Sequence, residues 1–229
     1  MTQFRIERDS IGEMQIPADA DYGIHTARAA ENFPITGIKL SHFPELIVSL
    51  AMVKKAAAIA NQQHHALSDE HAKAIISACD LIISGEAHED FIVDMLQGGA
   101  GTSTNMNANE VIANLALRLM GHKRGEYQYL HPNDHVNLSQ STNDVYPTAV
   151  RLTMLRNCPD LIIAQEKLKE ALYAKAIEFD DVIKVGRTQL MDAVPMRLGS
   201  EFRAFSVLVN SGDLEYSVNS FTIFLIAST

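Results

Sequence analysis

The feature that most restricts the fold of this chain is a series of apolar stripes at helical spacing. Side chains three or four positions apart lie on one face of an α-helix. Ser68 precedes one stripe as a helix N-cap, and Gly85 follows it as a stop signal. The stripes begin at or shortly after Pro44, Ser68, Val111, Pro147 and Asp160. A further helix is expected over residues 198–209. The sequence therefore predicts a mostly α protein with long helices and polar loops between them.

Two short segments are predicted to be extended. "FRIERDSIGEMQIP" alternates weakly around Gly12, which is typical of a hairpin. "VIKVGRT" is a brief extended piece between two helical stretches. The chain has no internal repeats and no low-complexity tracts, so these extended pieces are additions to a helical protein.

The composition excludes several classes of protein. Apolar residues make up 47% of the 229 residues, enough for a sizeable core, and the net charge of −9 argues against a nucleic-acid partner. There is no apolar run of membrane-spanning length and no apolar segment of a secretory signal at the N-terminus. Cys79 and Cys158 lie among apolar helical positions and are expected to be buried free thiols. We therefore expect a soluble cytoplasmic protein with no nucleic-acid or membrane partner.

Three polar stretches carry the candidate chemistry. They are "GGAGTSTNMN" (98–107), "SQSTND" (139–144) and "GRTQLMDAVP" (186–195). Each is expected immediately before a helix, where unpaired N–H groups and a partial positive charge attract anions. The side chains available as donors there are Thr102, Ser103, Thr104, Asn105, Ser139, Ser141, Thr142, Asn143, Arg187, Thr188 and Gln189. Three such loops predict a site for a small polyanion such as a dicarboxylate.

An alternative interpretation treats these residues as helix caps and turns. A cap needs one hydroxyl or amide, whereas each stretch contains several. The histidines show no zinc-ligand spacing, and we expect His131 and His135 to form hydrogen bonds within their loop. Neither a phosphate-binding Gly-Lys-Ser/Thr motif nor a hydrolase Gly-x-Ser-x-Gly motif occurs.

Four segments together resemble the aspartase/fumarase superfamily of lyases. They are "PADADYGIHTARAAENFPI", "QGGAGTSTNMNANEVIANLAL", "HPNDHVNLSQSTNDVYPTA" and "GRTQLMDAVPMRLGSEF". The likeness runs from Arg5 to Val209. "QSTND" and "GRTQ" resemble the ammonia-lyase (aspartase) members more than the fumarases, whereas His131 in "HPND" leans slightly towards the fumarases.

The resemblance implies a fold, an activity and an assembly. The fold is the mostly α aspartase/fumarase (L-aspartase-like) fold, with an N-terminal domain followed by the start of a long central helical bundle. The activity is reversible anti-elimination of ammonia from L-aspartate to give fumarate, with no metal and no organic cofactor. The assembly is a homotetramer in which each active site draws loops from three subunits.

The resemblance also implies a role for individual residues. Thr102, Ser141 and Thr142 would be catalytic, because they would bind the β-carboxylate as it gains charge. Asn143, with Thr102 and Thr142 nearby, would hold the amino group. Thr188 would bind the α-carboxylate with help from Gln189, which stands where other members have histidine.

The same comparison suggests three regions. Residues 1–141 are expected to form an N-terminal lyase domain, residues 142–209 the start of the central bundle, and residues 210–229 a divergent tail. The superfamily's third signature, a loop with the serine thought to act as base and a lysine and asparagine for the α-carboxylate, has no match in this sequence. We therefore expect an N-terminal portion that is truncated and inactive alone.

Two other functions fit the same residues. The chain resembles class II fumarases, which add or remove water, in the same polar stretches. It could instead be a non-catalytic fragment that assembles with a full-length subunit, which the missing third signature would explain.

Overall fold

The computed structural model describes residues 3–209, and it divides into two compact units, Met1–Thr153 and Met154–Thr229. The division falls inside one long helix. The domain boundary predicted from the sequence, 141/142, lies at the first residue of that same helix. The predicted divergent tail, 210–229, lies outside the described residues. Among the described residues, no helix combines the length and the hydropathy needed to cross a membrane.

The chain begins with the predicted hairpin, which the structure confirms. Strands β1 (Phe4–Arg8) and β2 (Glu13–Pro17) pair antiparallel, with Arg5 opposite Ile16. The Asp9 carboxylate closes the turn by accepting hydrogen bonds from the N–H groups of Ile11 and Gly12. Helix α1 (Ile24–Asn32) follows.

Three long helices form the body of the first unit: α2 (Pro44–Gln63), α3 (Asp69–Ile83) and α4 (Thr102–Leu119). Ser68 caps α3 as predicted, because its Oγ accepts a hydrogen bond from the His71 N–H at 3.2 Å. Gly85 ends this region with a φ of +105°. Shorter helical turns lie at Leu40–His42 and His88–Asp90, and a π-helical turn lies at Pro132–Val136.

Helix α4 is the centre of the core. The predicted stripe placed Val111, Ile112, Leu115 and Leu119 on one buried face, but every residue from 107 to 117 is buried. Contacts with α1, α2 and α3 enclose α4. Leu119, at its C-terminal end, is half exposed instead. A helix enclosed in this way has no solvent-exposed face over these residues, so a one-sided stripe underestimates its burial.

A buried carboxylate on α4 fixes the start of α1. Glu110 accepts hydrogen bonds from the N–H groups of Gly23, His25 and Thr26, at 2.9 to 3.0 Å. A side chain at Gly23 would come within 2.5 Å of the Tyr127 hydroxyl, so only glycine fits there. Burial raises the pKa of Glu110, against the effect of these hydrogen bonds.

Helix α5 (Thr142–Glu178) runs for 37 residues and crosses from the first unit into the second. The sequence predicted two helices here, one near Pro147 and one starting at Asp160. That prediction is wrong, because the helix continues through Pro159. Cys158, predicted to be buried, is partly exposed on this helix, whereas Cys79 on α3 is buried as expected.

The second unit contains the remainder of α5, a hairpin and another helical segment. Strands β3 (Ile183–Thr188) and β4 (Met191–Arg197) pair antiparallel, and residues 198–209 are helical. "GRTQLMDAVP" was expected to be a loop before a helix, and this was wrong. Gln189 and Leu190 form the tight turn of the hairpin, with φ of +49° and +62°. Two residues with positive φ suit the twist of a two-residue hairpin turn.

Candidate active site

The first polar stretch forms a tight turn and the first turn of α4. Gly99, Ala100 and Gly101 all have positive φ, and α4 begins at Thr102. The Thr102 hydroxyl donates to the Gly99 carbonyl at 2.6 Å and its side chain is exposed. Thr102 to Asn105 were expected to precede the helix, but they lie within it. The polar side chains therefore project from the helix N-terminus itself.

Gln97 caps the N-terminus of α4, a role that the sequence led us to expect from hydroxyl side chains. Its Oε1 accepts from the Thr104 N–H at 2.7 Å, and its Nε2 donates to the Thr104 Oγ1 at 2.8 Å. Thr104 is buried by this pairing. Because an amide satisfies this N–H, the exposed hydroxyl of Thr102 is not needed as the cap of α4.

The second polar stretch contains a conventional helix cap, Ser141, followed by the polar side chains of Thr142 and Asn143. The Ser141 Oγ accepts from the Asn143 N–H at 3.2 Å, so Ser141 is the N-cap of α5. The Thr142 Oγ1 is 3.2 Å from the amide nitrogen of Asn105 on α4. Ser141 and Asn143 are exposed and Thr142 is half-buried. The capping interpretation therefore explains Ser141, and it leaves the hydroxyl of Thr142 and the amide of Asn143 unexplained.

The two stretches meet at a cleft of about 420 Å³ in the first unit. The ring of Tyr146 on α5 packs directly on Gly101, where a Cβ would come within 2.4 Å of it. Asn143 lines the cleft. Thr102 directly follows the lining residue Gly101, and Thr142 directly precedes Asn143. The lining residues are Met95, Leu96, Gln97, Ala100, Gly101, Asn143, Tyr146 and Pro147. The structure thus brings the start of α4 and the start of α5 to one cleft, and of the predicted residues Thr102, Ser141, Thr142 and Asn143 it is Asn143 that lines it.

The third stretch lies in the second unit. Thr188 ends β3 and Gln189 begins the hairpin turn, and both side chains are exposed. Exposed side chains at a hairpin turn have little part in holding the unit together. Their exposure leaves them available to a ligand.

A buried polar network beneath the α5 N-terminus was missed by the sequence analysis. The Oδ1 of Asn137 accepts from Lys54 Nζ at 2.8 Å, from Asn105 Nδ2 at 3.0 Å and from Asn109 Nδ2 at 3.2 Å. Lys54 is fully buried, and this burial lowers its pKa to about 7. The sequence did contain one signal of this network. Asparagine is unfavourable in the interior of a helix, so asparagines there indicate side-chain contacts with other parts of the protein. The spacing of Asn105 and Asn109, four apart on α4, is such a signal.

The loop histidines behave as predicted. The Nδ1 of His135 accepts from the His131 N–H at 2.8 Å, and the Nδ1 of His131 accepts from the N–H groups of Asn133 and Asp134. These bonds hold the π-helical turn that leads to Asn137. Within the described part of the chain, no group of three or more histidine, cysteine, aspartate or glutamate side chains is arranged to hold a metal ion.

Known proteins resemble this chain over nearly its whole length. The model of a lyase family matches residues 12–219. An aspartate ammonia-lyase from Pseudomonas fluorescens is 58% identical over 203 residues, which are 89% of this chain and 42% of that protein. The chain therefore spans less than half the length of this relative.

Solved structures give the same fold. A fumarate lyase:delta crystallin from Brucella melitensis superposes with a TM-score of 0.91 and 52% identity, covering 96% of this chain and 51% of that one. A class II fumarase from Schistosoma mansoni gives a TM-score of 0.83 and 34% identity, covering 92% of this chain and 44% of that one. The mostly α aspartase/fumarase fold expected from the sequence is confirmed. The chain therefore belongs to the lyase family whose model it matches over residues 12–219.

Proposed function

We propose that this chain provides part of the active site of an aspartate ammonia-lyase, which converts L-aspartate into fumarate and ammonia. The observation that carries the proposal is the meeting of two polar helix N-termini, those of α4 and α5, at one cleft. Helix N-termini favour carboxylates, and the substrate has two. The 58% identity to an aspartate ammonia-lyase supports this choice of substrate.

The proposed reaction explains why neutral hydrogen-bond donors are concentrated here. A base removes the proton from the carbon next to the β-carboxylate, and the C–N bond then breaks so that ammonia leaves. The intermediate carries extra negative charge on the β-carboxylate oxygens. Donors fixed in advance around those oxygens lower the barrier, since they need no reorganisation during the reaction. Ser141 and Thr142 are proposed to donate there, and Thr102 would do so by turning its hydroxyl hydrogen from the Gly99 carbonyl to the substrate.

The remaining predicted residues are proposed to orient the substrate. Asn143 is exposed at the cleft and would hold the amino group. By resemblance to the superfamily, Thr188 and Gln189 would bind the α-carboxylate. These three assignments rest on resemblance to the superfamily and on the exposure of the side chains.

We also propose the assembly and the location that the superfamily implies. A homotetramer is supported by the part of α5 in the second unit, which carries exposed apolar side chains. A cytoplasmic location is supported by Cys79 and Cys158, which form no disulfide.

A class II fumarase is the second candidate, and the similarity to the Schistosoma mansoni enzyme favours it. The support is weaker, since that identity is 34% against 58% for the ammonia-lyase. A non-catalytic role, in which the chain assembles with a full-length subunit, is the third.

One set of assays separates the three. The chain is first assembled with a C-terminal ammonia-lyase portion that carries the third signature, because the chain alone is expected to be inactive. The complex is given saturating L-aspartate, and fumarate absorbance and ammonia are followed together; fumarate is given separately, and malate is measured. Equal amounts of fumarate and ammonia support the ammonia-lyase, and malate from fumarate supports the fumarase. No product in either assay, with recovery of the chain in complexes with a full-length ammonia-lyase subunit, supports the non-catalytic role.

A further inference from the structure

A buried lysine with an unusual partner lies next to the candidate site. Lys54 on α2 is fully buried, and among the described residues its ammonium makes one hydrogen bond, to Asn137 Oδ1. No carboxylate in the described part of the chain lies within 4 Å of that ammonium. A buried charge without a counter-ion is destabilising, so stability does not explain why a lysine occupies this position.

The hydrogen-bonding capacity of Lys54 sets the orientation of the amides around it. The Asn137 Nδ2 donates to the Gln140 carbonyl at 3.1 Å, and the protonated Lys54 amine can only donate, so Asn137 turns its oxygen towards Lys54. The same oxygen lies 3.0 Å from the Asn105 side chain, which must therefore present its NH2 group. That NH2 group is also 3.2 Å from the Thr142 Oγ1. The hydroxyl oxygen of Thr142 accepts from Asn105, and its hydrogen is left for another acceptor.

We infer that Asn105, held in one orientation by Asn137 and Lys54, is a positioning residue that makes Thr142 a hydrogen-bond donor towards a bound carboxylate. The inference rests on the proposed function, which assigns Thr142 to the β-carboxylate. A hydroxyl can donate or accept, and only a donor stabilises a carboxylate oxygen that gains charge. Asn105 removes this ambiguity.

The buried amide oxygen of Asn105 supports an imposed orientation. Oδ1 of Asn105 is buried and has no hydrogen-bond partner among the described residues. An unsatisfied buried acceptor is destabilising. The orientation of the Asn105 amide is therefore not set by a hydrogen bond to its oxygen. It is set by the bonds of its NH2 group to Asn137 and Thr142.

The first test is a double-substitution cycle read out by binding of succinate, an unreactive dicarboxylate. Asn105→Leu removes the donor with little change of shape and is expected to weaken binding about tenfold, the effect of one lost hydrogen bond to a charged ligand. In a Thr142→Val background it is expected to change binding less than twofold, since the group it positions is gone.

Asn109→Leu is the matched control for this cycle. Asn109 is on the same helix, is buried and donates to the same Asn137 oxygen, but it has no hydrogen bond to Thr142. It is expected to leave the affinity for succinate within twofold of the wild type. Equal losses from Asn105→Leu and Asn109→Leu, or equal losses in both backgrounds, would overturn the inference.

The second test uses Lys54→Met, which keeps the length of the side chain and removes the charge. Relief of the buried charge is expected to maintain or raise the melting temperature. Succinate binding is expected to weaken, because Asn137 loses its cationic donor and is held less firmly, by the Gln140 carbonyl and the neighbouring amides. If Lys54 were purely structural, its substitution would lower the melting temperature, and stability and succinate affinity would not change independently. A stable variant with unchanged affinity for succinate would also contradict the inference.

A third measurement separates the inference from the proposed function. If the wild-type chain does not bind succinate at all, the proposed function fails for this chain. The inference is then decided by the side-chain amide resonances of Asn105, which are expected to shift in Thr142→Val. They are expected not to shift in Thr148→Val, a half-buried threonine elsewhere on α5. The absence of a shift in Thr142→Val would refute the inference.

Discussion

Gly101 sets how closely the two polar helix N-termini approach each other. It has a φ of +90°, and a Cβ there would lie 2.4 Å from the Tyr146 ring. We expect Gly101→Ala to lower the free energy of unfolding by about 1–3 kcal/mol more than a glycine substitution without a steric clash. Gly121→Ala is the matched control, because Gly121 has a φ of +85° and open space around it. Chemical denaturation of both variants measures the difference, and equal losses would show that the contact with Tyr146 is unimportant.

Lys54 is expected to make stability depend on pH. Burial lowers its pKa from 10.5 to about 7. Between these values the unfolded chain carries a proton that the folded chain lacks, so the free energy of unfolding rises with pH. Burial raises the pKa of Cys79 from 9.0 to about 12, which has the opposite effect above pH 9. Denaturation curves at pH 7 and pH 9 should therefore show a rise that is lost in Lys54→Met, and an equal rise in the variant would exclude Lys54 as its source.

Ser141 allows the capping and catalytic interpretations to be separated. As the N-cap of α5 its loss costs about 1 kcal/mol of stability. As a donor to the developing charge, its loss lowers kcat by roughly 10²- to 10³-fold. We expect Ser141→Ala to show both effects in the active assembly, measured by fumarate production and thermal melting. A tenfold or smaller loss of kcat would leave Ser141 as a cap alone.

The residues of the proposed site and of the polar network beneath it differ in how far the sequence could identify them. Thr102, Ser141, Thr142 and Asn143 could be selected because polar residues crowd in short stretches, which is visible in the chain. Lys54 could not, because it is one of two adjacent lysines and its partner lies 83 positions away. The environment of Lys54 depends on how α2 packs against the turn that carries Asn137. Residue spacing within α2 does not reveal this packing.

Among the elements, short-range signals predicted the ends of helices better than their continuity. Ser68 and Gly85 marked the limits of α3 because caps act within one turn. Pro159 and Asp160 resemble a helix start, yet α5 runs through them. Gln189 and Leu190 lack the Asn-Gly or Asp-Gly signal of a tight hairpin, so β4 was not foreseen.

Pro159 gives a prediction at the scale of the element. A proline within a helix removes one backbone hydrogen bond and crowds the preceding turn, at a cost of about 3 kcal/mol. We expect Pro159→Ala to raise the stability of α5 by up to that amount, measured as the midpoint of helix loss by circular dichroism. Lys167→Ala, an exposed position on the same helix, should change it by less than about 0.5 kcal/mol. An unchanged midpoint in Pro159→Ala would mean that the proline is compensated elsewhere.

At the scale of the whole molecule, the two units differ in how their apolar residues are covered. The first unit buries α4 completely from Asn107 to Leu117. The second unit leaves large apolar side chains of α5 half exposed, namely Leu161, Ile163, Leu168, Tyr173 and Ile177. Apolar patches of this kind mark association surfaces in soluble proteins. Periodicity predicted helical structure here but not that these apolar side chains would lie exposed.

The last prediction is that the chain associates through this part of α5. Leu161→Lys with Leu168→Lys places two charges on the exposed apolar surface, and burying them in an interface is unfavourable. Light scattering after size exclusion should give a tetramer for the wild-type chain and a smaller species for this variant. Leu190→Lys is the control, because Leu190 is fully exposed at the hairpin turn and should leave the mass unchanged. A monomeric wild-type chain, or an assembly of the same mass in both proteins, would rule out α5 as the interface, and the homotetramer would then need another surface.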